Sequence, residues 1–76
     1  MEAYPGISID PDVRFGKPCL VGTRIDVATI VGEVAAGEAV ETVAEQNALS
    51  VEQVRSALSY AAQVAAQSDP ADSKDE

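Results

Sequence analysis

The stretch that decides the fold is Gly16-Lys17-Pro18-Cys19-Leu20-Val21-Gly22-Thr23-Arg24-Ile25-Asp26-Val27. Glycines stand near both ends of the apolar run Cys19 to Val21, and glycine permits positive-φ turns that other residues avoid. Pro18 fixes one backbone dihedral and removes a hydrogen-bond donor. The apolar run is therefore predicted to be a short strand held between turns. Asp26 is predicted to cap the helix that follows.

Upstream of this stretch, apolar and polar residues alternate as they do in short strands. Ile7-Ser8-Ile9 is the first such segment, and Asp10-Pro11-Asp12 ends it with residues typical of turns. Val13 and Phe15 alternate again before the glycine at position 16. We therefore expect the first third of the chain to form short strands or hairpins.

Downstream, apolar residues recur at helical spacing in three segments. The first helix is predicted to run from the Asp26 cap to a stop at Gly37, with an inner face of Val27, Ile30, Val31 and Val34. The second covers roughly residues 38–46, and Asn47 suits a left-handed C-cap. The third begins with the capping-box pair Ser50 and Gln53. Its apolar seam is Val51, Val54, Leu58, Ala61 and Ala65.

These elements predict a mainly α (α+β) fold, in which short N-terminal β-strands or a hairpin precede a three-helix, helix-turn-helix-like bundle. A chain of 76 residues has room for one domain, which we assign to residues 1–67. From Ser68 onward, polar and charged residues and Pro70 replace every apolar residue but Ala71. Residues 68–76 are therefore predicted to be a disordered acidic tail.

The composition excludes several classes of function. No histidine is present and Cys19 is the only cysteine, so the chain can form no internal disulfide and cannot complete a zinc site. We expect no catalytic residue, cofactor or metal ligand, because nothing here assembles a positioned base, nucleophile or metal. The apolar neighbours of Cys19 indicate a small buried hydrophobe. Because the core is small and lacks a disulfide, we also expect a homodimer.

The net charge of −8 is unevenly distributed along the chain. Residues 1–25 hold three acidic and three basic residues, whereas residues 26–76 hold ten acidic residues against Arg55 and Lys74. Such a surface repels phosphate backbones and favours a basic protein partner. The alternative is that the acidic residues only keep a small protein in solution or reflect a salt-rich cell. No signal sequence or apolar span is present, which predicts a cytoplasmic protein with no membrane contact.

The second and third predicted helices have the layout of a helix-turn-helix, with the third as the recognition helix. Its candidate nucleic-acid contacts are Ser50, Gln53, Arg55 and Ser56. Arginine and glutamine can read base edges, but Glu52 on the same helix would oppose phosphates. The alternative is a structural three-helix core that makes no contact with DNA.

Positive charge gathers near the glycine turns and the predicted start of the first helix. Backbone amides at a helix start, together with a cation, favour an anion. Lys17 and Arg24 are therefore candidate contacts for a phosphate or for a partner's carboxylate. The alternative is that Arg24 pairs internally with Asp10, Asp12 or Asp26 and fixes the turn, which is the commoner role of a lone arginine.

The motifs described above resemble a small prokaryotic family catalogued as domain of unknown function 433. The matching segments are Ile9 to Pro11, Gly16 to Pro18, Gly22 to Val27, Gly37, Ser50 to Val54 and Ala57 to Ala61, within about residues 7–62. The resemblance implies short strands followed by a helical bundle of helix-turn-helix type. It also implies the antitoxin half of a toxin–antitoxin pair, beside a toxin resembling a PIN-domain ribonuclease. This chain departs from the pattern at Gln46 to Leu49, where family members commonly carry an aromatic residue and a proline.

We therefore expect a non-catalytic interaction protein, an antitoxin that binds and neutralises a PIN-like ribonuclease toxin. Co-repression of its operon is a further expectation, with DNA bound mainly by the complex. The candidate toxin-binding residues of the tail are Asp69, Asp72, Asp75 and Glu76, because a flexible acidic segment can fold along a basic channel. The alternative is a stand-alone helix-turn-helix transcriptional regulator.

Overall fold

The computed structural model describes residues 1–67. Its three strands form one antiparallel sheet in the order β1-β2-β3, with β1 at Glu2–Tyr4, β2 at Ile7–Ser8 and β3 at Cys19–Leu20. Three helices follow, namely α1 at Val27–Ala35, α2 at Val40–Gln46 and α3 at Val51–Gln67. The predicted class, α+β and mainly helical, is confirmed. The predicted acidic tail, residues 68–76, lies outside the described residues.

The first strand is an element that the sequence pattern does not predict. Glu2-Ala3-Tyr4 lacks an alternating apolar pattern, and the strand forms through pairing of Tyr4 with Ile7 and of Glu2 with Ser8. The turn between the two strands contains Gly6 at φ 86°. The backbone N–H of that glycine donates to the Glu2 carboxylate over 2.8 Å. The glycine turn and the pairing with β2 therefore create β1, although the strand itself is only three residues long.

An extended segment at Val13 and Phe15, predicted from their alternation, is wrong. Residues Arg14–Gly16 form a tight 3-10 turn, and the φ angles of Arg14, Phe15 and Gly16 are 51°, 59° and 83°. The Gly16 N–H donates to the Val13 carbonyl and the Lys17 N–H donates to the Arg14 carbonyl, over 3.0 and 3.1 Å. The turn leaves the Phe15 side chain 94% exposed.

The starts of α1 and α3 follow the sequence closely because they depend on local hydrogen bonds. The Asp26 cap of α1 is confirmed, since its Oδ1 accepts the Thr29 N–H over 2.9 Å. The capping box of α3 is also confirmed. The Gln53 N–H donates to Ser50 Oγ over 3.1 Å, and the Ser50 N–H donates to Gln53 Oε1 over 2.8 Å.

The end of α2 differs from the prediction. Asn47 has φ −106°, so its predicted left-handed cap is wrong, and Ala48 takes the left-handed conformation with φ 57°. The Asn47 side chain instead donates to the Val43 carbonyl over 2.8 Å and to Glu33 Oε1 of α1 over 2.9 Å. The side chain thus ends one helix and ties it to another, and the next residue makes the turn.

The core lies where the helices meet the small sheet. Its buried residues are Ile7, Leu20, Val27, Ile30, Val43, Ala44, Val54 and Ala57. The side chains of this cluster are aliphatic. The two tyrosines pack at its edge, with Tyr4 of β1 against Tyr60 of α3 at a ring-centroid distance of 5.7 Å. Among residues 1–67, no helix combines the length and hydrophobicity needed to cross a bilayer.

Candidate functional site

The Gly-Thr-Arg turn is closed by its own threonine. Thr23 Oγ1 donates to the Leu20 carbonyl over 2.9 Å and accepts the Ile25 N–H over 3.0 Å. The Leu20 N–H donates to the Ile25 carbonyl over 3.0 Å, so the chain after β3 folds straight back along it. This return sets Asp26 at the start of α1, which gives the motif a structural role.

Asp26 is the hub of this region, with only 5% of its surface exposed. Asp26 caps α1 through Oδ1, and its other oxygen, Oδ2, accepts a hydrogen bond from Arg14 Nη2 over 3.2 Å. Hydrogen bonds from Thr29, and then the Arg14 guanidinium, hold the pKa of the Asp26 carboxyl below its usual range. This carboxylate is fully engaged inside the protein, and its role is to join the turn at residues 14–16 to α1.

The predicted internal pairing of Arg24 with Asp10, Asp12 or Asp26 is wrong. The only ion pair among residues 1–67 joins Arg14 to Asp26, because the turn at residues 14–16 brings that arginine back onto the helix cap. Arg24 and Lys17 are exposed. We call residues 14–24 the basic loop, since they hold Arg14, Lys17 and Arg24 and no acidic residue.

The predicted nucleic-acid contacts on α3 have different surroundings. Ser50 and Gln53 bond each other in the capping box, as described above, and Gln53 is half-buried. Ser56 is half-buried beneath the β1–β2 turn, where a Cβ built on Gly6 would lie 3.1 Å from Ser56 Oγ. Arg55 is exposed. Of the four predicted contacts, Arg55 has the side chain best placed to reach an external ligand.

A shallow cavity of about 390 Å³ lies between the β1–β2 hairpin and this part of α3. Tyr4 and Pro5 line one side, and Glu52, Arg55, Ser56 and Ser59 line the other. The hairpin therefore stands beside the face that a recognition helix would present to DNA. Glu52 lies on the same face as Arg55, and its negative charge weakens the attraction of Arg55 for phosphate.

The second group of charged side chains is a set of four glutamates on and near α2 and at the start of α3, namely Glu38, Glu41, Glu45 and Glu52, and we call this set the acidic face. All four side chains are exposed. Glu41 and Glu45 are one helical turn apart on α2, and like charges at that spacing destabilise a helix by a few tenths of a kcal/mol. These two exposed carboxylates therefore repel each other on the surface of α2.

The apolar groove, of about 470 Å³, runs between α1 and the second half of α3. Its principal lining residues are Val27 and Val31 of α1 with Tyr60, Ala61 and Val64 of α3. Pro18 and Ala65 also line it, and no charged residue does. The sequence indicates the inner faces of these helices, but it does not predict that part of those faces stays open.

Cys19 lies in the core with 2% of its surface exposed, which confirms its interpretation as a small buried hydrophobe. Its thiol donates to the Lys17 carbonyl over 3.4 Å. Burial, and then the nearby Asp26 carboxylate, raise the pKa of the Cys19 thiol above its ordinary value. The thiol therefore stays protonated at neutral pH, where a nucleophile would need the thiolate.

Lys17 and Arg24 lie on either side of β3, before α1, whereas Ser50 to Ser56 form the cap and first turns of α3. The candidate toxin-binding residues of the tail, Asp69, Asp72, Asp75 and Glu76, lie outside the described residues. The exposed Phe15 and the apolar groove are the features that sequence reasoning missed.

Comparison with known proteins identifies relatives of this chain. The family described as "Protein of unknown function (DUF433)" matches residues 7–61. Uncharacterized protein Rv2308 of Mycobacterium tuberculosis is 37% identical over 59 residues, which cover 78% of this chain and 25% of that protein. The X-ray crystal structure of Rv2018 from Mycobacterium tuberculosis has a TM-score of 0.63 and 31% identity, covering 68% of this chain and 24% of that one. The chain thus spans about a quarter of the length of these relatives.

Proposed function

This chain belongs to the DUF433 family, and we propose that it is a non-catalytic interaction protein, an antitoxin that binds and neutralises a PIN-like ribonuclease toxin. The observation that carries the proposal is the acidic face, four exposed glutamates on and beside α2 and at the start of α3. The family resemblance of the sequence motifs supplies the class of partner. The net negative charge supports the coarser part of the proposal, that the chain binds a basic protein.

Electrostatic complementarity explains how such a protein would inhibit a ribonuclease. An RNA-cleaving enzyme needs a basic surface to hold phosphates, and an acidic protein surface competes for the same positive charge. A net charge of −8 also accelerates the encounter with a basic partner. The predicted tail contacts, Asp69 to Glu76, would extend the acidic surface along the basic RNA-binding channel of the toxin.

Growth of bacterial cells tests this function. The reading frame beside this chain's gene, if it encodes a PIN-like ribonuclease, should arrest growth when expressed alone and permit growth when this chain is co-expressed. Glu45→Lys should reduce the rescue, whereas Asp12→Lys, which makes the same change of charge at an exposed site outside the acidic face, should not. Arrest that persists with the wild-type chain present would contradict the proposal.

DNA binding by this protein alone is the second candidate function. It is favoured by the α2–α3 arrangement, with its turn at Ala48, and by the exposure of Arg55. Glu52, which lines the same cavity as that arginine, weakens the attraction to phosphates, so we propose that DNA is bound mainly by the toxin complex in co-repressing the operon. A shift of the promoter fragment by the chain alone, lost on Arg55→Glu, would favour the stand-alone regulator.

We also propose that the protein is a cytoplasmic homodimer. An intracellular ribonuclease acts where RNA is, and its inhibitor must meet it there. A chain of 76 residues buries a limited core of its own, and association with a second copy adds buried area.

A further inference from the structure

We propose that the cavity between the β1–β2 hairpin and α3, which we call the hairpin cavity, binds a small zwitterion, namely an α-amino acid with an apolar side chain. The residues that line the cavity are Tyr4, Pro5, Glu52, Arg55, Ser56 and Ser59. Arg55 would hold the carboxylate of the ligand and Glu52 its ammonium group. This inference goes beyond the proposed function, because it requires neither a toxin nor a nucleic acid.

The size and composition of the hairpin cavity suit a small molecule. Its volume of about 390 Å³ lies in the range of small-molecule sites, which is roughly 300–1,000 Å³. Such sites combine an apolar wall with a few polar groups that fix the orientation of the ligand. Here Tyr4 and Pro5 supply the wall, and α3 supplies the polar groups.

Two opposite charges face this cavity without pairing with each other. Glu52 and Arg55 are three residues apart on α3, so their Cβ atoms are roughly 5–6 Å apart. Both side chains are exposed, and the sole ion pair among residues 1–67 joins Arg14 to Asp26 instead. Because the ammonium and carboxylate groups of an α-amino acid are bonded to one carbon atom, a single small ligand can reach both side chains.

The same two charges disfavour other classes of ligand. A phosphate would be attracted by Arg55 but repelled by Glu52 and by the net charge of −8. A cation would be attracted by Glu52 and repelled by Arg55. A wholly apolar molecule would displace water from both charged groups and return no hydrogen bond to them. A zwitterion satisfies both charges and adds no net charge.

The remaining lining groups fit the other parts of such a ligand. Within residues 1–67, the hydroxyl groups of Ser56 and Ser59 make no hydrogen bond, so either can donate to a carboxylate. The Tyr4 ring is held edge-on against Tyr60 at an interplanar angle of 61°, so the apolar wall exists before a ligand arrives. An aliphatic side chain of the ligand would pack against this wall.

Titration of the isotope-labelled protein with leucine, followed by amide chemical shifts in NMR spectra, tests the proposal. We expect saturable shifts at Tyr4, Ser56 and Ser59 with a dissociation constant of about 1–10 mM, because exposed charge pairs add little affinity. Glycine has no side chain to pack against the wall and should bind at least about threefold more weakly.

Analogues of leucine that are blocked at one end test the assignment of the two charges. Leucinamide lacks the carboxylate and N-acetylleucine lacks the ammonium group, so each should bind at least about threefold more weakly than leucine. Arg55→Gln should abolish the advantage of leucine over leucinamide but keep its advantage over N-acetylleucine, and Glu52→Gln should do the reverse. The matched controls Arg24→Gln and Asp12→Asn remove exposed charges outside the cavity lining and should bind leucine within about twofold of wild type.

The pattern across variants and analogues separates a binding site from a general loss of structure, because a misfolded variant would lose every ligand alike. Absence of saturable shifts up to about 50 mM leucine would overturn the proposal. Tighter binding of inorganic phosphate or guanosine than of leucine would overturn the class of ligand. Equal binding of leucine and both blocked analogues would overturn the roles of Arg55 and Glu52.

Discussion

Replacing Asp26 by alanine should destabilise the fold more than replacing any exposed carboxylate. The change removes the N-cap of α1, which contributes about 1 kcal/mol. It also removes the partner of Arg14, a side chain that is 44% exposed, so solvent screening limits that pair to about 0.5 kcal/mol. The sum of about 1.5 kcal/mol corresponds to a fall of roughly 6–12 °C in the melting temperature of a domain this size.

Thermal unfolding followed by circular dichroism at pH 7 measures the effect. Asp26→Asn keeps an oxygen that can accept the Thr29 N–H but loses the charge, so we expect a smaller fall of roughly 2–4 °C. Asp12→Ala changes an exposed carboxylate and should shift the melting temperature by less than about 3 °C. An Asp26→Ala protein that melts within about 2 °C of wild type would refute the role of this residue as the hub.

The pH dependence provides an independent check. Because the pKa of Asp26 is lowered in the folded protein, its carboxylate contributes stability above its unfolded pKa of about 3.9, and that contribution is lost as pH falls through the folded pKa. The difference in stability between wild type and Asp26→Asn should stay constant from about pH 7 to 5 and shrink below about pH 4. A difference that grows on acidification would contradict the lowered pKa.

Three further experiments test the local structure. Gly6→Ala should lower the free energy of unfolding in urea by about 1–2 kcal/mol, because φ is 86° and the new Cβ would lie 3.1 Å from Ser56 Oγ. As a control, Gly32→Ala in α1 places a Cβ where no atom lies within 4 Å, so it should leave the stability unchanged or raise it. Native Cys19 should react with a thiol reagent at pH 8 at least about tenfold more slowly than the urea-unfolded chain, since burial raises its pKa; equal rates would disprove burial. Ala48→Gly should raise the free energy of unfolding by up to about 1 kcal/mol, because glycine adopts the φ of 57° at this position without the steric cost that alanine has. A fall in the free energy of unfolding would argue against the left-handed turn.

Local hydrogen bonds explain which parts of the fold the sequence predicts. The Asp26 cap and the Ser50–Gln53 capping box depend on residues three positions apart, so the spacing of the residues contains the information. The strand at β3 is likewise bounded by its own turn residues. By contrast, β1 exists through pairing with β2, which a three-residue segment does not encode by itself.

The errors at Phe15, Arg24 and Asn47 share a physical cause. Each depends on a contact with a segment distant in sequence, as when Arg14 takes the Asp26 carboxylate or Asn47 reaches Glu33 of α1. The apolar groove is also a tertiary property, because periodicity marks the apolar faces of α1 and α3 but not how completely they cover each other. The distribution of charge does not depend on such distant contacts. The glutamates are visible in the sequence itself, so the acidic face was predictable.

The most direct test of the central claim uses two purified proteins, this chain and the PIN-like ribonuclease encoded beside it. The rate of RNA cleavage is measured as the chain is added, with Glu45→Lys and Asp12→Lys as the variant and its matched control. We predict that wild type and Asp12→Lys abolish cleavage near a one-to-one ratio of chains, and that Glu45→Lys requires at least several-fold more protein. Undiminished cleavage at a large excess of the wild-type chain would contradict the account.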